Sequence, residues 1–315
     1  MTSFAACGLV VGHATDADGA TGCTVVRGDT SAFRCAMHVM GRATGTREAV
    51  LLEPGHLVDR VDAILLAGGS AYGLNAADGV MRWMEQRGRG FPVGEGVVPI
   101  VPGAVVFDLA PLGRFDARPT PEMGYTACEV ATAEPHEGSI GAGTGATVGK
   151  VLGPAGAMKG GVGLGSADAG AVIVRALAVV NALGDVRNAS GAIVAGARDA
   201  QGRFVDSAAH IARGMPEPPR FEDLAGRNTT LCVVGTNVAM DRVQLAWLAR
   251  AASAALYRRI TPVGTMFDGD VVFATAPLEA AVSAPTPQVE ALAVLALEQA
   301  IERAVRTRAP GDLLS

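Results

Sequence analysis

Asp268 and Asp270 stand on either side of Gly269 in "FDGDVV". Side chains two apart on an extended backbone point the same way. Two carboxylates held that close repel unless a cation lies between them, and Lys150 or a chain-terminal ammonium would serve. Without a cation the pair reads as an Asp-Gly turn with solvated carboxylates. A second stretch, "GRNTTLCVVG", sets two hydroxyls, Thr229 and Thr230, directly behind Asn228 where an apolar, β-branched run begins. That is ordinary turn-to-strand chemistry, or it is the start of a nucleophile.

A threonine hydroxyl has no intrinsic nucleophilicity at neutral pH, and no histidine in the chain is evidently placed to activate it. Cutting the peptide bond between Asn228 and Thr229 would change this. The new α-amine of Thr229 can take the hydroxyl's own proton, and such amines titrate at roughly 7.7–8.0. Asn181 interrupts the otherwise apolar "ALAVVNALG", and a buried amide must find partners. It either caps the strand end or donates an N–H to an oxyanion.

Other motifs fit their chemistry less well. "GAGTGATVGK", residues 141–150, has the glycine spacing of a dinucleotide fingerprint, but the preceding "AEPHEGSI" is not a buried strand. As a phosphate loop it carries Thr144 and Val151 where Gly and Ser or Thr are required. Close backbone approach explains these glycines better. "GGSAYG" around Ser70 is near a nucleophile elbow, but Tyr72 replaces the needed glycine and Ser70 reads as a helix cap. The histidines (His13, His38, His56, His136, His210) show no metal-ligand spacing. Cys7, Cys23, Cys35, Cys128 and Cys232 are odd in number and lack CxxC spacing, as expected of reduced, buried thiols.

The elements that must position these residues are short apolar strands alternating with helices. Strands are predicted over 21–26, 61–69 and 231–234, along "AGAVIVRALAVVNALGDV" as far as Asn181, in "GAIVAGARD", and on both sides of the Pro-marked turn in "GVVPIVPGAVVFDL". A helix capped by Ser70 is expected to stop at Gly88. Others are expected from Thr120 with Pro121 at its first position, from about Asp241 to Arg259, and from Thr286 to about Arg308. Residues 201–228 are polar, with Pro216, Pro218 and Pro219, and form a loose seam. In 315 residues, hydrophobic content is 49% while aromatics are 4%, so aliphatic residues must fill the core. With a net charge of -5 and no Lys/Arg block, nucleic acid and membrane are excluded as expected partners. No signal peptide or membrane-spanning run is read, and a cytoplasmic location is expected.

Taken together, "GHATDADGATGCTVV", "LAGGSAYGLNAADGVMRWMEQRGRGFPVG", "VPIVPGAVVFDL", "SIGAGTGATVGKVLG", "VVNALGDV", "GRNTTLCVVGTNV" and "DGDVVFATA" resemble the autoprocessing P1-type aminopeptidases of family S58. These include L-aminopeptidase/D-esterases, β-aminopeptidases and 6-aminohexanoate-oligomer hydrolases. The resemblance covers nearly the whole chain. It implies an α/β fold, a four-layer αββα sandwich that is N-terminal-nucleophile-like. It also implies one domain over 1–315 that cuts itself into 1–228 and 229–315, assembly as a homotetramer or a larger oligomer, and no cofactor or metal. It places Thr229 at the nucleophile, Asn181 at the oxyanion, Asp268 and Asp270 at the acidic pair, and Lys150 at the lysine of the oligomer-hydrolase branch. The aminopeptidase/D-esterase branch cuts between Gly and Ser, where this chain has Asn228-Thr229. The substrate expected is a small peptide or oligoamide. The alternatives are an acyltransferase resembling ornithine acetyltransferase, and an uncut scaffold without activity.

Overall fold

Ten strands make two sheets in the computed structural model, which describes residues 2–214 and 228–306. They are β1 (Leu9–Asp16), β2 (Thr21–Gly28), β3 (Phe33–Val39), β4 (Thr46–Arg47), β5 (Ala63–Ala67), β6 (Gly103–Val105), β7 (Gly161–Ala169), β8 (Val172–Asn181), β9 (Thr229–Thr236) and β10 (Val271–Pro277). The first sheet runs β1-β2-β5-β6-β4 and the second β7-β8-β9-β10-β3. Helices α1 (Ala76–Glu85) and α2 (Pro121–Glu129) belong to the first half of the chain. The short α3 (Ser207–Ala212), then α4 (Arg242–Ala252), α5 (Ala254–Arg259) and α6 (Thr286–Arg306), belong to the second.

Side-chain parity along the strands builds the layers. Leu177, Val179, Leu231, Val233 and Phe273 meet Leu9, Val11, Val26, Ile64 and Leu66 between the two sheets. Their neighbours Ala176, Ala178, Cys232, Val234 and Val272 turn the other way and pack with Leu245, Leu248, Ala293 and Leu297 of α4 and α6. On the outer face of the first sheet, Val25, Ala63 and Leu65 pack with Val80 and Met84 of α1 and Ala127 of α2. The result is a four-layer αββα sandwich, as expected. A fully buried side chain such as Leu231 or Phe273 contributes roughly 2–3 kcal/mol. The scarcity of aromatics is met by close approach: a Cβ at Gly165 would lie 1.9 Å from the Ala296 carbonyl oxygen of α6.

Several local expectations need correction. Ser70 does not cap a helix. It opens a 3-10 turn, Ser70–Asn75, with φ +54° and no side-chain cap bond, and α1 starts only at Ala76. The helix expected over 241–259 is broken at Ser253 into α4 and α5, with Asp241 and Gln244 forming a capping box on α4. Part of the presumed seam is ordered: Asp206 caps α3, while Pro216, Pro218 and Pro219 lie outside the described residues. The final helix is described to Arg306. Thr120 and Pro121 cap and open α2 as the spacing predicts. "GAGTGATVGK" forms a 3-10 turn, Gly141–Gly143, and a short strand, Thr147–Val148. That is not the strand-turn-helix a nucleotide loop needs.

Candidate active site

The site forms where β9 and β10, which run parallel, both begin and where the antiparallel β8 ends. Thr229 is the first residue of β9 and pairs in register with Asn181, the last residue of β8. Residues directly opposite on antiparallel strands present their side chains on the same face. That face looks between the sheets, because Leu231 and Val233, at the same parity, are in the inter-sheet core. Thr230 has the opposite parity. The two adjacent hydroxyls are therefore sent to different sides of the sheet.

Asn181 is fully buried and held on both ends of its amide. Its Oδ1 accepts from the Lys150 ammonium at 2.7 Å and from the Thr147 N–H at 3.1 Å. Its Nδ2 donates to the Phe107 carbonyl at 3.0 Å. Lys150 also donates to the Asn181 backbone carbonyl at 3.2 Å, and its own N–H is fixed on Leu183 O at 2.9 Å. A lysine in a glycine-rich loop, seventy-nine positions before the threonine, thus reaches the same amide that stands across from it.

The acidic pair lies on the other flank. Asn228, just ahead of β9, forms a parallel bridge with Asp268. Asp268 accepts from the Thr265 N–H at 2.7 Å, and Asp270 accepts from the N–H groups of Thr230 at 2.7 Å and Gly264 at 3.3 Å. Both carboxylates are buried. Burial raises the Asp268 carboxyl above its ordinary range, while Thr265 and the Lys150 charge pull it back. Burial and then the charge of Asp268 push Asp270 up to about 7, against the Thr230 and Gly264 N–H groups and Lys150. The pair therefore shares less than two full negative charges near neutral pH.

Gly269, between them, acts through its backbone. Its N–H donates to the Asn228 carbonyl oxygen at 2.8 Å, and the Thr229 hydroxyl donates to the same oxygen at 2.6 Å. A Cβ at Gly269 would fall 2.7 Å from Thr229 Oγ1 and from Ala43 O, so only glycine fits here. The 40–45 segment wraps the turn from outside, with Met40 and Gly41 donating to Asp270 O, and Arg42 and Ala43 to Asp268 O. Sequence reading named the carboxylates but not this N–H or this segment. Their parts are played by backbone, which residue type does not announce. The hint available was the glycine itself, at a strand mouth between two acids.

Beside Thr229 opens a cavity of about 180 Å³ whose walls include Thr44, Gly45, Ser70, Val105 and Phe107, with no charged side chain among them. Among the described residues, no three His, Cys, Asp or Glu side chains are grouped to hold a metal ion. All five thiols are buried and unpaired; burial pushes Cys7, Cys23 and Cys128 up to about 12, and Cys232 is raised by burial and then by the charge of nearby Asp270. His13 is driven down to about 4 by burial and bonds Thr24, so it is structural. No described helix is long and apolar enough to cross a membrane.

Comparison with known proteins gives the family and the fold. The family model described as Peptidase family S58 matches residues 6–309. An uncharacterised aminopeptidase of Mycobacterium tuberculosis is 42% identical over 253 residues, 76% of this chain and 69% of that protein. A 6-aminohexanoate-oligomer endohydrolase of Kocuria is 33% identical over 278 residues, covering 85% of this chain and 72% of the enzyme. Among solved structures, the L-aminopeptidase D-Ala-esterase/amidase of Ochrobactrum anthropi, described as a variant of the Ntn hydrolase fold, superposes with a TM-score of 0.69. It is 20% identical over 94% of this chain and 83% of its own. The chain belongs to peptidase family S58 and is a hydrolase of peptide or amide bonds.

Proposed function

We propose that this chain is an N-terminal-threonine amide hydrolase that activates itself by cutting between Asn228 and Thr229. The observation that carries this reading is the Asn228 carbonyl oxygen, gripped by the Gly269 N–H at 2.8 Å and the Thr229 hydroxyl at 2.6 Å. A donor from a rigid turn polarises the carbonyl and is in place for the negative oxygen of a tetrahedral intermediate. Thr229 Oγ adds to the Asn228 carbonyl carbon, the C–N bond breaks, and the hydroxyl proton passes to the departing Thr229 nitrogen. Water then hydrolyses the ester, leaving an Asn228 carboxylate, a free Thr229 hydroxyl and a free α-amine. Before that amine exists, proton transfer falls to Lys150 or the Asp268–Asp270 pair.

In turnover, Thr229 Oγ attacks the substrate amide while its amine takes the proton and hands it to the leaving amine. Asn181, pinned by Lys150, Thr147 and Phe107, helps hold the oxyanion. Asp268, Asp270 and Lys150 orient the amine and tune its charge. The substrate is a small peptide or oligoamide, and no cofactor takes part. The two fragments stay together because β9 lies between β8 and β10 and is buried on both faces. The assembled form is a homotetramer, which size-exclusion chromatography with light scattering would test.

Denaturing intact-mass measurement of the purified wild type tests the central claim. Two species meeting between Asn228 and Thr229 are expected, and one species in Thr229→Ala. A wild type that stays whole after long incubation would overturn it.

A further inference from the structure

Resting on the reading of Thr229 above, we propose that Ser70 is a substrate-contacting residue whose hydroxyl binds the polar backbone of the amide being cut. Ser70 and Thr229 line the same uncharged cavity. Ser70 is also one of three non-glycine residues with positive φ among those described, at +54°. A serine pays for that conformation in steric strain, and strain of this kind persists where the surroundings impose it.

The surroundings here are specific. Gly69 precedes it at φ +77°. The Gly69 N–H is held by the buried Asp108 carboxylate at 2.6 Å, and the Ser70 N–H by Val106 O at 3.0 Å. Asp108 is itself fixed by the Thr21 hydroxyl at 2.7 Å. Two left-handed residues are thus clamped by the segment that follows β6, itself braced by Thr21 of β2, at the point where β5 gives way to the Ser70–Asn75 turn. The clamp serves the backbone alone: among the described residues the Ser70 hydroxyl makes no hydrogen bond. The hydroxyl of Thr44, another wall of the cavity, likewise makes none among the described residues.

A strained, clamped serine with an unused hydroxyl, beside the nucleophile, has the means to receive a ligand. The chemistry it fits is that of a neutral amide, whose N–H it can accept and whose C=O it can donate to. With no charged group in the walls, a hydroxyl is the kind of group that can fix such a substrate without attracting an ion.

Two variants separate the hydroxyl from the backbone. Ser70→Gly removes the hydroxyl and suits φ +54°, while Ser70→Ala removes the hydroxyl and keeps the strain. Each is purified, checked for completed cleavage by intact mass, and assayed for kcat and KM on L-alanine p-nitroanilide and linear 6-aminohexanoate trimer. Both variants should cut themselves as the wild type does. Both should lose about tenfold in kcat/KM on whichever substrate the wild type turns over, the scale of one lost hydrogen bond. If Ser70→Gly matches the wild type while Ser70→Ala is impaired, conformation and not the hydroxyl matters, and the proposal fails. It fails equally if neither variant changes. An uncut wild type would bring down the reading of Thr229, and this inference with it, through a different readout.

Discussion

At Asp185 a carboxylate with no exposure accepts from the N–H groups of Ala197 and Ser207 and from the Ser207 hydroxyl, at 2.9, 2.7 and 2.6 Å. At Asp270 an almost equally buried one accepts from Thr230 and Gly264 N–H groups, at 2.7 and 3.3 Å. Burial raises both above the ordinary carboxylate range. The neighbours differ. Arg187 lowers Asp185, whereas the like charge of Asp268 raises Asp270 further. Asp185 ties together the Asp185–Arg187 strand, the 197 loop and the start of α3, and no hydroxyl beside it lacks a task. Asp270 stands next to the strand mouth where Thr229 grips its own preceding carbonyl. A buried acid is thus no sign of catalysis by itself. A second acid and a threonine hydroxyl gathered at adjacent strand mouths are what mark the candidate site.

The largest effect should come from Thr229, the proposed nucleophile. Thr229→Ala is expected to leave the chain uncut and to lower amide turnover on the order of 10⁴-fold or more, as when a nucleophile is removed elsewhere. Mass spectrometry and a release assay on the same sample check both. Full cleavage in this variant would remove Thr229 from the mechanism.

The opposite pattern is expected at the other carboxylate. Asp185→Ala strands two buried N–H donors and a hydroxyl, at a cost of about 3 kcal/mol of stability. Its folded fraction should still cut itself and turn over substrate normally. Thermal melts beside the mass spectrum measure the two halves of that statement. Loss of cleavage in well-folded Asp185→Ala would erase the distinction between the two sites.

Why sequence reading found some of this and missed the rest follows from what each residue contributes. Strands β8 and β9 announce themselves through apolar, Val- and Leu-bearing runs that meet a polar residue at the site, Asn181 at the end of one and Thr230 ahead of the other. Strand β7, "GVGLGSADA", does not, because its glycines answer to α6 pressing on it and not to strand propensity. Strand β3 carries a charged Arg34 and His38 in its register and lacks a clean alternation. In the site, Thr229, Asn181, Lys150 and the two aspartates were legible as residue types whose chemistry needs company. That Asn181 faces Thr229 is a matter of strand register, and that Gly269 polarises Asn228 is a matter of one backbone N–H. Neither is written in residue type. Ser70 was misread as a cap because helix signals assume an ordinary φ before the first turn, and here the φ is left-handed.

A third effect should be moderate and depend on pH. Asp270 has a native pKa of about 7 against an ordinary 3.8. Between those values the native state holds a proton that the unfolded chain has released, so its stability falls as pH rises from about 4 to 7. Asp268 and Asp185 are shifted the same way, so Asp270→Asn should reduce this slope and not abolish it. Urea unfolding at pH 5 and pH 8, in a Thr229→Ala background that remains one chain, makes the comparison. An unchanged slope would mean that Asp270 stays ionised in the folded protein.

The smallest effect should separate the adjacent threonines. Thr230 is fully buried, and its hydroxyl has no hydrogen-bond partner among the described residues. Its N–H, which is what Asp270 uses, survives any side-chain change. Thr230→Val keeps the branched shape and removes an unsatisfied polar atom, so stability should rise by about 1 kcal/mol. Cleavage and turnover should stay near wild type, because the side chain faces the helix layer and Thr229 faces the cavity. A melting curve and a turnover assay are enough to test this. If turnover collapsed while the protein stayed folded, the parity that sends one hydroxyl to the site and the other to the core would be the wrong way round.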